Sequence, residues 1–203
     1  MVASLPPVTT VPLPRRPLDA SDQVRRWYEN ELGWETVPGS PLRLVVGLRF
    51  DVLDVPAEAG RAALRHLAPG SPVAVRGDRM RLLLAAGSAE ELPGVLDWLE
   101  WGSLALDLTA LGEGGLMDAP EPPAAGATGG RPLPLGRPGT PQGTAVWLRP
   151  PEPESEVEAS LPTLSAVGGG GGAPDLVRLL DTVATQCHRL RLRRACAQPL
   201  AFS

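Results

Sequence analysis

Hydrophobic positions change period several times along the chain, and each change marks an element. From Pro41 the pattern alternates, with Leu42, Leu44, Val46 and Leu48 separated by Arg43, Val45 and Gly47. That period of two is the mark of a half-buried strand, and the apolar run carries it to about Val55, where Pro56 stops it. Residues 57–67 then put Ala59, Ala62, Ala63 and Leu67 on one helical face. Two runs, 72–76 and 80–86, flank Gly77-Asp78, a dipeptide suited to a hairpin turn. Ser88, with Glu91 three positions on, has the form of a capping box and opens a helix predicted over 88–101, with Leu92, Val95, Leu96 and Leu99 inward. Leu104-Ala105-Leu106-Asp107-Leu108 and Ala145-Val146-Trp147-Leu148-Arg149 read as strands.

Helical periodicity returns at both ends. Near the start, Asp19-Ala20-Ser21-Asp22 supplies caps for Val24, Trp27, Tyr28, Glu31 and Leu32, and Gly33 suits a helix stop. At the other end, Leu176, Leu179, Leu180, Val183, Cys187 and Leu190 form one apolar stripe, predicting a helix over 174–194. Together these elements predict an α+β fold: a mixed central sheet of about five or more strands with packed helices. A single domain is expected over 19–194, between a Pro-rich arm at 1–18 and a tail at 195–203. Within it, 121–144 is a Gly- and Pro-rich insert and 168–172 a glycine linker. Residues 1–17, 122–143 and 165–172 are expected to be mobile, lacking the apolar surface that would offset ordering entropy. The glycine run lacks the Lys-Ser/Thr of a phosphate loop, since Ala173-Pro174-Asp175 follows.

Composition then narrows the reading. The 203 residues include 19 basic ones, all arginine, with no lysine and no isoleucine, alongside 24 Pro and 23 Gly. The depleted residues have AT-rich codons, which points to a GC-rich genome such as those of actinobacteria. Some of the proline and glycine then reflects codon drift rather than turns. Apolar residues make up 43% but aromatics only 4%, so the core is expected to be mainly Leu, Val and Ala. A net charge of −4 argues against a whole-surface grip on nucleic acid. The N-terminus lacks a signal-peptide pattern, and no run approaches the roughly 18 apolar residues that span a bilayer. A cytoplasmic protein with no membrane contact is expected. Cys187 and Cys196 are spaced neither as a redox pair nor as zinc ligands, and are read as buried reduced thiols.

Three carboxylates stand out: Asp51 and Asp54 at the end of the first apolar run, and Asp107 at the end of a later one. Carboxylates gathered at strand ends can hold a divalent metal and a nucleotide's phosphates. In one strand, however, residues three apart face opposite ways, so Asp51 and Asp54 cannot share a site. Asp54 and Asp107 remain as candidate metal ligands. Arg79 and Arg81 are candidate phosphate contacts, always charged and forked. Arg189, Arg191, Arg193 and Arg194 form the one basic cluster, a candidate contact for nucleic acid or an acidic partner, or a complement to the helix dipole. His66 is placed at a helix end, where a cation complements the same dipole.

The order of these motifs resembles the N-terminal domain of bifunctional DNA primase/polymerases, the prim-pol branch of the archaeo-eukaryotic primase family. That family carries an Asp-x-Asp strand, then a histidine strand after a Gly-rich turn, then an Asp before a Gly-Gly-Tyr-x-x-Ala-Pro-Pro turn. The matching stretches here are Val52-Leu53-Asp54-Val55-Pro56, then Gly77-Asp78-Arg79-Met80-Arg81-Leu82. The third is Leu106-Asp107-Leu108 ahead of Gly114-Gly115-Leu116-Met117-Asp118-Ala119-Pro120. The resemblance covers about residues 45–151. Trp27-Tyr28-Glu29-Asn30-Glu31-Leu32-Gly33-Trp34 also looks like a signature of a small actinobacterial family.

The resemblance implies a nucleotidyltransferase using Mg²⁺ or Mn²⁺, but Pro56 replaces the second carboxylate and Met80 or Arg81 stands in for the histidine. Two monodentate aspartates leave most of a triphosphate's charge uncompensated. The expectation is therefore a catalytically inactive primase/polymerase-like protein that binds or regulates, with nucleotide or nucleic acid as its possible ligand and no assigned cofactor. Two alternatives stay open: an active primase/polymerase with a site rebuilt from Asp51, Asp54 and Asp107, and a structural protein-interaction module.

Overall fold

A computed structural model of the chain describes residues 20–123, 143–153, 157–164 and 175–196. Its strands, in chain order, are β1 (Thr36–Val37), β2 (Arg43–Val45), β3 (Phe50–Pro56), β4 (Val73–Arg76), β5 (Arg79–Ala85), β6 (Thr109–Leu111), β7 (Leu116–Asp118) and β8 (Val146–Arg149). Its α-helices are α1 (Ala20–Arg26), α2 (Ala57–Ala63), α3 (Ser88–Trp98) and α4 (Leu176–Cys196). A π-helical turn, Trp27–Glu31, continues α1, and a 3₁₀ turn, Leu64–His66, continues α2. The fold is α+β, with a five-stranded sheet in the order β6-β3-β5-β4-β8 and a three-stranded sheet in the order β1-β2-β7.

From β3 to β6 the chain runs strand, helix, strand, strand, helix, strand, and the order β6-β3-β5-β4 is that of the split β-α-β-β-α-β arrangement. Each helical crossover skips one strand position, and the skipped slot is filled by a strand of opposite direction. All ladders are consequently antiparallel, in place of the mixed directions the sequence suggested. Parallel pairing is confined among the described residues to isolated bridges, Glu121 with Val146 and Thr163 with Asp175.

Alternation along β3 builds two cores. Leu53 and Val55 face α2, α3 and α4 together with Met80, Leu82 and Leu84 of β5 and Val73 and Val75 of β4. Phe50 and Val52 face the other way, with Leu83, Ala74 and Trp147, under a cover that includes Leu44, Met117, Tyr28 and Trp34. On the helical side α2 comes close enough to the sheet that a Cβ at Gly60 would lie 2.5 Å from Met80 Sδ. On the other side the aromatic residues, few as they are, cluster: the Trp34 ring lies 4.5 Å from Phe50 and 6.3 Å from Trp147. Tyr28 donates from its hydroxyl to the Pro120 carbonyl at 2.7 Å and accepts from Trp147 Nε1 at 2.9 Å, tying the N-terminal turn to both sheets. Burial pushes the Tyr28 phenol far above its ordinary value, with the Trp147 hydrogen bond acting in the opposite direction.

Several local expectations need correction. The single strand read from Pro41 to Val55 is two strands in different sheets, β2 and β3. Gly47 makes the break: its φ of +97° and the contact any Cβ there would make with the Glu113 backbone admit only glycine, and its N–H donates to the Phe50 carbonyl at 2.8 Å. Residues 104–108 are not a strand; the strand begins at Thr109, leaving Asp107 just before β6. The Gly-Gly turn leads into β7, which pairs with β2. Cys187 is buried but Cys196 is exposed, so the paired expectation of buried thiols holds for one of them. The glycine linker, most of the insert and the whole N-terminal arm lie outside the described residues.

Replacing Tyr28 by Phe tests the clasp between the N-terminal turn and the sheets. Both the Pro120 carbonyl and the Trp147 indole N–H lose their partner, so the variant is expected to lose about 1–3 kcal/mol in urea unfolding at unchanged m-value.

Candidate functional site

Asp54 and Asp51 lie on one strand but on opposite faces, and each is occupied differently. Asp51, fully buried on the helical side, accepts from the Ala89 backbone N–H through Oδ2 at 2.7 Å, which places its carboxylate at the N-terminus of α3. The Ser88 side chain makes no capping bond, so the capping box expected from Ser88 and Glu91 is replaced by an aspartate from 38 residues upstream. Desolvation raises the Asp51 pKa, the Ala89 and Gly87 backbone N–H groups act against that, and Glu90 adds to it. Asp51 Oδ1 is buried with no partner among the described residues. This carboxylate is a structural cap, turned away from any site Asp54 could form.

Asp54 points to the opposite face, across from Arg81 in the β3–β5 register. Two guanidinium groups grip it: Arg79 Nε at 2.6 Å on Oδ1 and Arg81 Nε at 3.0 Å on Oδ2. Arg79 also donates through Nη2 to the Asp54 carbonyl at 3.1 Å and through Nη1 to Asp107 Oδ1 at 2.6 Å. Arg194 of α4 reaches the other Asp107 oxygen at 3.3 Å. One planar fork therefore links the two carboxylates that were candidates for a metal, the geometry for which arginine is suited and lysine is not. Desolvation alone would raise the Asp107 pKa, but the hydrogen bonds and charges of Arg79 and Arg194 outweigh it and hold the group below its ordinary 3.8. For Arg79, burial acts to lower the pKa and the two aspartates more than reverse it.

The candidate phosphate contacts Arg79 and Arg81 are thus engaged by carboxylates of their own chain. Arg81 Nη1 is buried without a partner among the described residues. Beside this network on the same hairpin, Arg76 pairs with Asp118 of β7 and donates through Nε to the Gly143 carbonyl at 2.9 Å. Among the described residues, no group of three or more His, Cys, Asp or Glu side chains is placed to hold a metal ion.

The basic cluster of α4 is likewise largely spent at home. Arg191 donates to the Ala105 carbonyl at 3.0 Å, Arg193 pairs with Glu58 at 2.6 Å and Arg194 with Asp107, which leaves Arg189 exposed at the surface. These contacts staple α4 to α2 and to the segment before β6, a role its position at a helix C-terminus did not indicate. His66 is corrected too: its Nε2 accepts from Arg65 Nε at 3.1 Å and lies 2.9 Å from Thr182 Oγ1. An arginine can only donate, so that ring nitrogen carries no proton and the imidazole is neutral. Desolvation and the neighbouring Arg65 and Arg178 lower its pKa, with Asp175 and Asp181 opposing, so His66 is no dipole-complementing cation. Cys187 points at the Asp107 carbonyl, 3.6 Å away, and burial pushes its thiol up to about 11, far from a reactive thiolate.

One shallow depression, lined by Glu29, Gly33, Trp34, Glu35 and Thr36, lies beside the N-terminal turn. Thr36 donates to Glu29 across it at 2.6 Å. No helix among the described residues is long and apolar enough to cross a membrane. In comparisons with known proteins, the chain matches no family model, no curated protein and no solved structure.

Two outcomes follow from the network. Asp54→Ala strands two partly buried guanidinium groups and is expected to cost about 3 kcal/mol in denaturant unfolding; a vacated metal site would instead leave stability unchanged or raised by relief of repulsion. Asp107 has a folded pKa below its unfolded value, so its stabilisation is complete above the unfolded value and lost as pH falls through the folded one. It is partly exposed, so Asp107→Asn should cost only about 0.5–1 kcal/mol at pH 7. The difference from wild type should shrink through the acid range below pH 3.8 and be smallest once both chains carry a neutral group.

Proposed function

We propose that this chain is a non-catalytic protein with a binding or regulatory role, built on a primase/polymerase-like scaffold. The observation that carries the reading is the Arg79 guanidinium seated between Asp54 and Asp107. Metal-assisted phosphoryl transfer needs carboxylates with uncompensated charge turned toward a common point, so that two cations can bridge the attacking and leaving oxygens. Here each candidate carboxylate meets two arginines and Asp51 is committed to a helix end. Pro56 in the second ligand position and the lack of a histidine on β5 support the same loss of chemistry.

The type of ligand follows from what is left free. The arginines that would meet a nucleotide's phosphates are paired with aspartates, and Tyr28, Trp34, Phe50 and Trp147, which could have stacked on bases, are buried. A sheet face covered in this way favours a protein partner over nucleic acid.

Primer extension with Mn²⁺ tests the loss of catalysis. No incorporation above background is expected; incorporation abolished by Asp107→Ala would return the chain to the nucleotidyltransferases. A companion measurement uses Arg79→Gln, which removes the guanidinium the two aspartates share but leaves Arg81 on Asp54 and Arg194 on Asp107: Mn²⁺ affinity no tighter than the order of 10⁻³ M is expected in the variant and none in the parent chain.

A further inference from the structure

Helix α3 does not bury all of its apolar residues. Leu92 and Val95 are buried against the sheet, whereas Trp98 is 73% exposed. An indole is among the costliest side chains to leave in water and among the commonest anchors of protein interfaces. Its position explains the exposure. Trp98 lies seven residues after Glu91 and three after Val95, at the last position of the helix and at the edge of the buried stripe, about 60° round the helix from Val95. At Gly94, one turn before Trp98, an added Cβ would meet nothing within 4 Å, so no described side chain, the indole included, covers that part of the helix. The helix backbone at that turn is therefore bare beside an exposed indole.

The charged residues nearest to Trp98 in sequence are all acidic. Glu90, Glu91, Asp97 and Glu100 are exposed around Trp98, and none of the four forms an ion pair among the described residues. The chain offers no cation from nearby in sequence: no arginine, lysine or histidine occurs between Arg81 and Arg131. An electron-rich ring face set among four uncompensated carboxylates is complementary to a guanidinium, which can stack on the indole and pair with a carboxylate at once. Exposed Asp and Glu alone would be an ordinary solvated face; the exposed indole on the same helix makes it specific.

We propose that the outer face of α3, centred on Trp98, is the docking surface for an arginine-bearing segment of a partner protein. This names the partner for the binding role above, and the two claims fail separately, one in a nucleotide assay and the other in a peptide titration.

The test uses the full chain, a hexa-arginine peptide and a hexa-lysine peptide, with NMR of the tryptophan indole N–H signals assigned by substitution. Hexa-arginine is expected to shift the Trp98 signal saturably and the buried Trp34 and Trp147 signals far less. Trp98→Ala should weaken its binding at least fivefold, Glu91→Gln with Asp97→Asn at least twofold, and hexa-lysine should bind the parent chain at least threefold more weakly than hexa-arginine. Because Trp98 packs little against the core, Trp98→Ala keeps its fold, which unchanged thermal unfolding verifies. Equal hexa-arginine affinity for Trp98→Ala and the parent chain would overturn the proposal, as would a Trp98 signal that hexa-arginine leaves in place. A single-stranded oligonucleotide that moves Trp98 more than hexa-arginine would overturn it in favour of base stacking. Tighter peptide binding by Arg15→Glu with Arg16→Glu would overturn it by making the chain's own arm the occupant.

Discussion

Because successive side chains of β3 project to opposite faces of the five-stranded sheet, this one strand determines what each layer of the molecule holds. Leu53 and Val55 belong to the helical core, Phe50 and Val52 to the core under the smaller sheet. The same alternation separates Asp51 from Asp54. A strand buried on both faces can carry a carboxylate only where a partner waits, since an unpaired buried charge costs far more than a surface one. The sheet supplies two different answers: backbone N–H groups at the start of α3 for Asp51, and guanidinium groups from β5 for Asp54.

The second answer organises the end of the sheet. Arg79 and Arg81 share a face of β5 because they are two residues apart, and Asp54 lies across from Arg81 in register. The Arg79 guanidinium has three nitrogens, and each meets an acceptor: the Asp54 carboxylate, the Asp54 carbonyl and the Asp107 carboxylate. Arg194 closes the chain of charges from α4. The effect is to pin the segment before β6, which has no ladder of its own at Asp107, between the hairpin and the C-terminal helix. Opposite charges that satisfy one another in this way hold position and leave little field for an incoming anion or cation.

The aromatic residues show the same economy. With so few in the chain, Tyr28, Trp34, Phe50 and Trp147 are concentrated in one cluster between the sheets, where Tyr28 and Trp147 also satisfy each other's polar atoms. Trp101 is partly buried and donates to Asp181 at 3.0 Å, joining the end of α3 to α4. Trp98 is the exception among the described tryptophans, and its helix is otherwise acidic on that side. At 100° per residue Trp98 falls close in angle to Glu91 and about 60° from Val95, at the margin of the buried stripe.

The sequence by itself determined the elements whose periodicity is long or whose turns are chemically marked. The stripe of α4, the apolar runs of β5 and β8, the Gly77-Asp78 hairpin and the α+β class are all local consequences of side-chain spacing and turn chemistry. The opposition of Asp51 and Asp54 also needs nothing beyond a strand's period of two. Tertiary structure decided the rest. Whether the run from Pro41 to Val55 is one strand or two depends on the backbone of Glu113 packing against Gly47, far away in the chain. Whether Asp54 and Asp107 face a metal or an arginine depends on Arg79 reaching both from a third segment. The cap of α3 comes from Asp51 rather than from Ser88 because β3 runs beside the helix start. A sequence lists the charges; only the packing of β3, β5 and α4 decides which of them meet.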